Sequence, residues 1–285
     1  MARMSIPPSP MRWLIGIELA RHRQEARMSL AKAAQLTGLS KSKLSHLEQG
    51  NQTQTAEDIT RLLAAYGAPL RSVKRLIALA ERADETSWWA PWADVVPPWF
   101  RTFLGLERIA DRAYVYESVL IPGLLQTADY AQAVTKESLL VRADHVKRIV
   151  EVRMQRAARL SDAQQPLRLE AVITAAALDN VMGSHEVHQA QLLHLAKLAE
   201  LGHVTVQVVP PGVICHDAYI IGNFVLFDLD TDSKIGYVEL LDDAVYVHDR
   251  AQLQTYEVAF RELQRVSLDP DRSLTLIRSK IDFTS

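Results

Sequence analysis

Between Trp13 and Ala83 apolar residues recur at three- and four-residue spacing, in short bursts. Ile15, Leu19 and His22 mark one face of a first helix. Ser29 is placed to cap a second that ends at Gly38. Ser40 caps a third, whose stripe is Leu39, Leu44 and Leu47. Thr55 opens a fourth with the capping box Thr55-Ala-Glu-Asp58, Gly67 closes it ahead of Pro69, and Leu70 to Arg82 supplies a fifth. The pattern predicts an all-α domain of five short helices over 12–83, preceded by a flexible arm over 1–11 that holds Pro7, Pro8 and Pro10.

Residues 84–100 break the period. The stretch SWWAPWADVVPPWF, 87 to 100, holds four of the five tryptophans and three prolines. Its prolines stop a helix and its aromatics exceed what a free linker carries, so it reads as an ordered strap packed on the second domain. Stacking on nucleotide bases is the alternative, but no basic residue interleaves before Arg101. From Arg101 to Arg159 the pattern is helical again, interrupted by a Pro122-Gly123 turn. Strand-like runs follow at 167–174, 204–210, 223–229, 235–241 and 244–249. A helical stretch from Ala175 to Leu201 between the first two is long enough for a parallel crossover. The last three read as an antiparallel meander. Helices over about 250–266 and 272–281 close a larger α+β, mixed-sheet domain spanning 101–285.

The unit SLAKAAQLTGLSKSKLSHLEQG carries the chemistry of the first domain. Ala34 is small enough for two helices to cross closely, Gly38 supplies a left-handed turn residue, and Leu44 and Leu47 anchor the third helix. This is helix-turn-helix geometry, and its third helix shows short hydrogen bonders and cations instead of the long Glu/Lys pairs of a solvated face. Lys41, Ser42, Lys43, Ser45 and His46 are the candidates for reading base edges. Ser29, Lys32, Gln49 and Thr53 are the candidates for the DNA backbone. Charge agrees: residues 1–83 hold 13 Lys+Arg against 6 Asp+Glu, a balance of +7, while the remainder stands at -9.

On these residues, 15–67 resembles the lambda-repressor-like (XRE) helix-turn-helix family. The matching positions run from Arg23 through Ala34, Gly38, Ser40, Leu44 and Leu47 to Glu48 and Gly50. The resemblance implies an ion pair between Arg23 and Glu48 that fixes the third helix. Two positions depart from the pattern: Leu30 stands where many members have glutamine, and Arg27 where a glycine usually follows the first helix. The strings YESVLIPGLLQTADYAQAV (116–134), RMQRAARL (153–160), VTVQVVP (204–210) and GYVELLDDAVYV (236–247) resemble the C-terminal domain of unknown function behind such heads in actinobacterial regulators. WhiJ-like developmental regulators and antitoxin-like proteins are examples. The resemblance implies a body that senses an effector or binds a small protein encoded alongside. Glu117, Gln126, Arg153 and Arg156 are the candidate ligand or partner residues, although every residue of PGLLQT also has a scaffold role.

Other chemistry is missing from the pattern. There is no phosphate-binding glycine loop, no nucleophile elbow and no dinucleotide fingerprint. HEVH at 185–188 falls short of a zinc-protease motif and would need His194 or His216 as a third ligand, so a solvated helix start is preferred. Cys215-His216-Asp217 gathers catalytic residue types, but triads assemble across space, so it reads as a loop. Asp242-Asp243 reads as a turn between strands. The single cysteine excludes an intrachain disulfide framework, and no apolar run approaches the roughly 18 residues of a membrane span. The reading is a cytoplasmic, non-enzymatic, homodimeric regulator of transcription that binds double-stranded DNA, with no cofactor or metal. The alternative is an antitoxin-like protein that neutralises a small partner and autoregulates through DNA.

Overall fold

The computed structural model describes residues 9–83, 87–213, 222–230 and 233–282. By its internal contacts the chain divides into two compact units, one formed by 1–90 with 98–106 and the other by 91–97 with 107–285. Cys215, His216 and Asp217 lie outside the described residues.

The first unit is helical. It contains α1 (Pro10–Glu25), α2 (Leu30–Thr37), α3 (Lys41–Glu48), α4 (Ala56–Ala65) and α5 (Leu70–Glu81). Helix α1 begins earlier than the arm expected over 1–11 allows. Pro10 and Met11 are already helical, because proline's fixed φ suits the first helical turn and its missing N–H is not needed there. Serine and threonine side chains stop the backbone donors at three starts. Ser29 accepts from the Lys32 amide, Ser40 from that of Lys43 and Thr55 from that of Asp58. Ile15, Leu19, Leu44, Leu47, Ile59, Leu62, Leu63 and Leu76 are completely buried and form one core. Gly16 sits where a Cβ would lie 2.4 Å from the Glu48 carbonyl oxygen, so α1 and the end of α3 cross at backbone distance.

The second unit is a mixed sheet with helices. Among the described residues its strands are β1 (Arg112–Glu117), β2 (Arg168–Thr174), β3 (Val204–Val209), β4 (Phe224–Asp230), β5 (Ser233–Glu239) and β6 (Ala244–Val247), in the spatial order β3-β2-β1-β4-β5-β6. The first three are parallel, and β4, β5 and β6 continue as the antiparallel meander. Strand β1 corrects the sequence reading, which placed 101–159 in a helical pattern. RAYVYE is short and unpunctuated by Gly or Pro, and tertiary pairing on both sides makes it central. The α6 helix (Pro98–Ile109) precedes it.

The chain then runs through α7 (Ala128–Lys136) and α8 (Val146–Ala157) between β1 and β2, and through α9 (Ala175–Asp179) and α10 (His185–Ala199) between β2 and β3. The single helix expected over 175–201 is thus two, parted where Gly183 takes a φ of +76°. Helices α11 (Arg250–Val266) and α12 (Pro270–Asp282) end the described chain. Leu253, Phe260 and Leu263 of α11 pack on Tyr116, Phe224 and Leu226, which lie on one sheet face. Strand alternation turns Val115, Glu117 and Val225 to the other. Of the strap, Trp92 Nε1 donates to Glu151 at 2.9 Å, and Arg148 holds Asp94 and the Pro91 carbonyl.

Candidate nucleic-acid interface and a polar cluster at the sheet rim

Between α2 and α3 the chain turns on Gly38, at a φ of +68°. Ser40 then restarts the backbone as α3, whose inner side buries Leu44 and Leu47. That anchoring turns Lys41, Ser42 and His46 outward, exposed, with Ser45 half-buried beside them. Gln49 caps the far end, donating to Ser45 Oγ at 3.3 Å and accepting from Asn51 at 3.0 Å. Lys32 and Thr53 are exposed, and Ser29 is exposed while capping α2.

Lys43 goes elsewhere. Its ammonium lies 2.8 Å from Asp58 Oδ1, whose side chain is 9% exposed, so the lysine ties α3 to the start of α4. The Asp58 carboxylate that would close the expected capping box on Thr55 takes the lysine instead.

The helix is held in orientation by Arg23 and Glu48. Arg23 Nε donates to Glu48 Oε1 at 2.7 Å and Nη2 to Oε2 at 2.8 Å, while Nη1 reaches the Met28 carbonyl at 2.8 Å. One guanidinium thereby fixes α1, the turn behind it and the end of α3. Its pKa is raised, chiefly by the hydrogen bond to Glu48. Gln54, which sequence reasoning missed, is buried and donates from one amide nitrogen to the carbonyls of Arg12 and Leu47. The mid-helix Gly16 was the available signal for this close crossing, since glycine interrupts a helix at a cost unless a backbone must approach.

Arg27 adopts a φ of 53°, a left-handed conformation that an L side chain enters at a cost of about 1–2 kcal/mol. Its side chain is exposed beside the turn into α2. Arg27→Gly is therefore expected to raise the unfolding free energy by about 1 kcal/mol. If the guanidinium meets a phosphate, the same variant will bind DNA more weakly, with a salt slope reduced by about 1. Thermal melts and a salt titration of binding read the two effects separately.

In the second unit the candidate residues Glu117, Gln126, Arg153 and Arg156 converge. Glu117 ends β1, and the register that pairs Tyr116 with Phe224 and Val225 with Tyr237 carries its row through Asn223 to Glu239. Asn223 Nδ2 donates to Glu117 at 2.6 Å, and its carbonyl oxygen accepts from the Ser118 amide and hydroxyl. Tyr237 donates to Glu239 at 2.9 Å. Arg153 and Arg156 lie three residues apart on α8, and the charge of Glu239 bears on both.

Arg156 forms a two-pronged pair with Glu107, at 2.8 and 3.0 Å, with side-chain exposures of 11% and 3%. Arg153 Nη1 donates to Gln126 Oε1 at 2.8 Å, and Gln126 in turn donates to the Ile121 carbonyl. Among the described residues Arg153 forms no ion pair, although the charges of Glu117 and Glu239 both bear on it. Burial, then the Glu239 charge, push the Glu117 carboxyl up to about 8, against the pull of Arg153. Burial and Arg156 bring Arg153 down to about 10. Arg159, in the 3-10 turn Ala158–Ser161 that follows the helix, donates to the carbonyls of Gln165 and Ala110. Asn223 and Glu239 carried no local sequence signal.

The remaining sequence candidates have structural positions. Pro122 and Gly123 enter a short 3-10 turn over Gly123–Leu125, Leu124 and Leu125 are buried, and Thr127 caps α7 by accepting from Tyr130. His185 starts α10, and His188 is buried with Nε2 at 2.9 Å from the Leu178 carbonyl. Asp243 closes the turn before β6, its carbonyl accepting from Leu240 and its carboxylate from Ala244.

Comparison with known families gives two matches. The family described as Domain of unknown function (DUF5753) matches residues 100–279, and the one described as Helix-turn-helix domain matches residues 14–76. No curated protein matches the chain. A helix-turn-helix domain at the head of the chain supports a DNA-binding regulator. Among the described residues no helix is long and apolar enough to cross a membrane.

Proposed function

From the premise that the chain belongs to the DUF5753 family and carries a helix-turn-helix domain ahead of it, we propose that it is a sequence-specific DNA-binding transcriptional regulator. It acts as a homodimer, and its second unit senses a ligand or partner through the cluster around Glu117 and Arg153. The observation that carries this reading is the outer face of α3. Lys41, Ser42 and His46 stand exposed on a helix whose other side is completely buried and whose end is fixed by the Arg23 fork. The N-terminal part of such a helix enters the major groove, where cationic and hydroxyl side chains meet base edges. One short helix supplies little affinity, so two copies on half-sites about 34–36 Å apart suit the proposal.

The test is selection from a randomised duplex pool by the full chain, followed by a salt titration on the winner. A palindromic or paired consensus with a steep negative slope supports the proposal. Weak binding without a consensus overturns it.

Within that reading Lys43 is a positioning residue. Lys43→Ala should lower the stability of the first unit and leave base preference unchanged, because its ammonium is spent on Asp58. His46→Ala should relax preference at one position, at a cost of about 1–3 kcal/mol. Profiling both variants on single-base operator mutants decides the assignment. A preference change confined to Lys43→Ala would return base reading to that lysine.

A further inference from the structure

Helix α7 meets the start of α10 at close quarters. A Cβ added at Gly183 would lie 3.0 Å from Ala133 Cβ and 3.5 Å from Val187 Cγ1, so the bend before α10 is drawn against the middle of α7. Beside this contact runs a groove of about 270 Å³, lined by Asp129, Gln132, Ala133 and Lys136 of α7 with Gly183 and Val187 opposite. One water's share of the liquid is roughly 30 Å³, so the groove has room for side chains. Large apolar residues follow the lining closely in the chain. Leu139, three residues beyond Lys136, is completely exposed, Leu140 is 63% exposed, and Val181, two residues before Gly183, is exposed as well. A single exposed leucine is ordinary, whereas several large apolar side chains next to one groove mark an interaction surface. The charges of the groove bear on what covers it. Asp129, Gln132 and Lys136 stand exposed at i, i+3 and i+7, on one side of α7, and read acid, amide, base. Among the described residues neither the Asp129 carboxylate nor the Lys136 ammonium has a partner. The helix dipole accounts for the order of the signs, but not for a groove and two exposed leucines beside them.

We infer that this groove is covered by the same surface of a second copy of the chain, with the two α7 helices antiparallel across a two-fold axis. The inference rests on the reading of the chain as a homodimer and names the surface that makes it one. An antiparallel repeat sets Asp129 of one helix against Lys136 of the other, and does so twice. The midpoint of that span falls between Gln132 and Ala133, so an amide and a small side chain lie at the axis and the backbones can come close. A partner segment of a single sign fits less well: a cationic one repels Lys136 and an anionic one repels Asp129. The two ion pairs lie about 10 Å apart, at roughly 1.5 Å of rise per residue. Being exposed, they fix register and add little affinity. Affinity comes from Leu139 and Leu140 of each copy, which gain burial in the groove of the other. The nine residues of α7 alone fall short of the roughly 800 Å² per partner of a standard interface, so the leucine turn and the Val181 bend belong to the contact and the dimer is a weak one.

The test is sedimentation velocity of the full chain over a concentration series, with circular dichroism to show that each variant is folded. Concentration-dependent dimerisation is expected. Leu139→Ser, at a position too exposed to disturb the fold, should raise the dissociation constant by at least about tenfold. Asp129→Lys and Lys136→Asp should each weaken the dimer, because like charges then meet twice across the axis. An equimolar mixture of these two variants should dimerise as well as the unaltered chain, since only the mixed pair sets acid against base at both places. That recovery is specific to the antiparallel arrangement. A dimer that survives Leu139→Ser and both charge variants overturns the inference. So does a chain that stays monomeric at every concentration, or folded charge variants that fail to recover on mixing. If a charge variant does not fold, Leu139→Ser decides alone. Duplex selection with the same proteins separates this surface from the DNA reading. A paired consensus bound by dimers that survive every variant removes this surface alone. Self-association through this face with no consensus removes the DNA-reading proposal alone, and a monomer on a single site removes the homodimer together with its surface.

Discussion

Replacing Glu48 with alanine is expected to cost the first unit about 3–5 kcal/mol, enough to release α3 from its place. The glutamate side chain is 8% exposed and the Arg23 side chain 14%, so the variant leaves a largely buried guanidinium facing nothing of opposite charge. That guanidinium also holds the Met28 carbonyl, so the turn carrying the strained Arg27 loosens along with the helix. Arg23→Ala should be comparably damaging, because it leaves the Glu48 carboxylate, whose side chain is 8% exposed, without its two-pronged partner. Replacing both with methionine should be milder than either single change, since no charge is then left uncompensated. Hydrogen exchange at the α3 amides is the suitable readout, because the two units need not unfold in one transition. Retained protection in Glu48→Ala would mean that Leu44, Leu47 and the contact at Gly16 orient the helix without the pair.

The local features of the first unit were legible because they are written within a few residues of one another. Ser29, Ser40 and Thr55 each cap the helix that follows, and a cap needs only a side-chain oxygen and an amide three residues on. Gly38 was legible for the same reason. Lys43 was not, because whether its ammonium meets a base or Asp58 depends on where α4 begins relative to α3, fifteen residues away. Gln54 was missed for a related reason: its amide bonds to the carbonyls of two different helices, and no period in the sequence encodes that.

In the second unit, runs of β-branched residues announced β2 to β6, and the close spacing of the last three announced a meander. The central strand β1 gave no such sign, since RAYVYE alternates over only six residues between a helix and a turn. Losing it also concealed the polar row. Once β1 is paired with β4, the register brings Glu117 beside Asn223, 106 residues away, and continues to Glu239. The arginines at three-residue spacing were visible in RMQRAARL, but their fates differ. Arg156 pairs with Glu107, Arg159 reaches backbone carbonyls and Arg153 donates to Gln126. Sequence spacing places side chains on one face; only packing decides which of them finds a partner.

Glu107→Ala is the corresponding experiment in that unit, with an expected loss of about 3–5 kcal/mol measured by urea titration of the full chain. Both oxygens of Glu107 are taken by Arg156 and the carboxylate is nearly inaccessible, so the substitution removes the two-pronged partner of a buried cation. Glu107→Gln should lose less, since an amide oxygen still accepts one of the two hydrogen bonds. Glu107→Leu combined with Arg156→Met should recover most of the stability, because a pair of apolar residues of similar volume carries no desolvation penalty. The double variant bears on the neighbouring charge as well. Arg156 helps depress the pKa of Arg153, so its removal makes the Arg153 guanidinium a stronger cation. In the single variant Arg156 stays charged beside Arg153 after losing its two-pronged partner, so the depression of the Arg153 pKa persists. Glu107 thus does more than hold one cation: by keeping both prongs of Arg156 occupied it also fixes the charge set around Arg153, three residues away on the same helix.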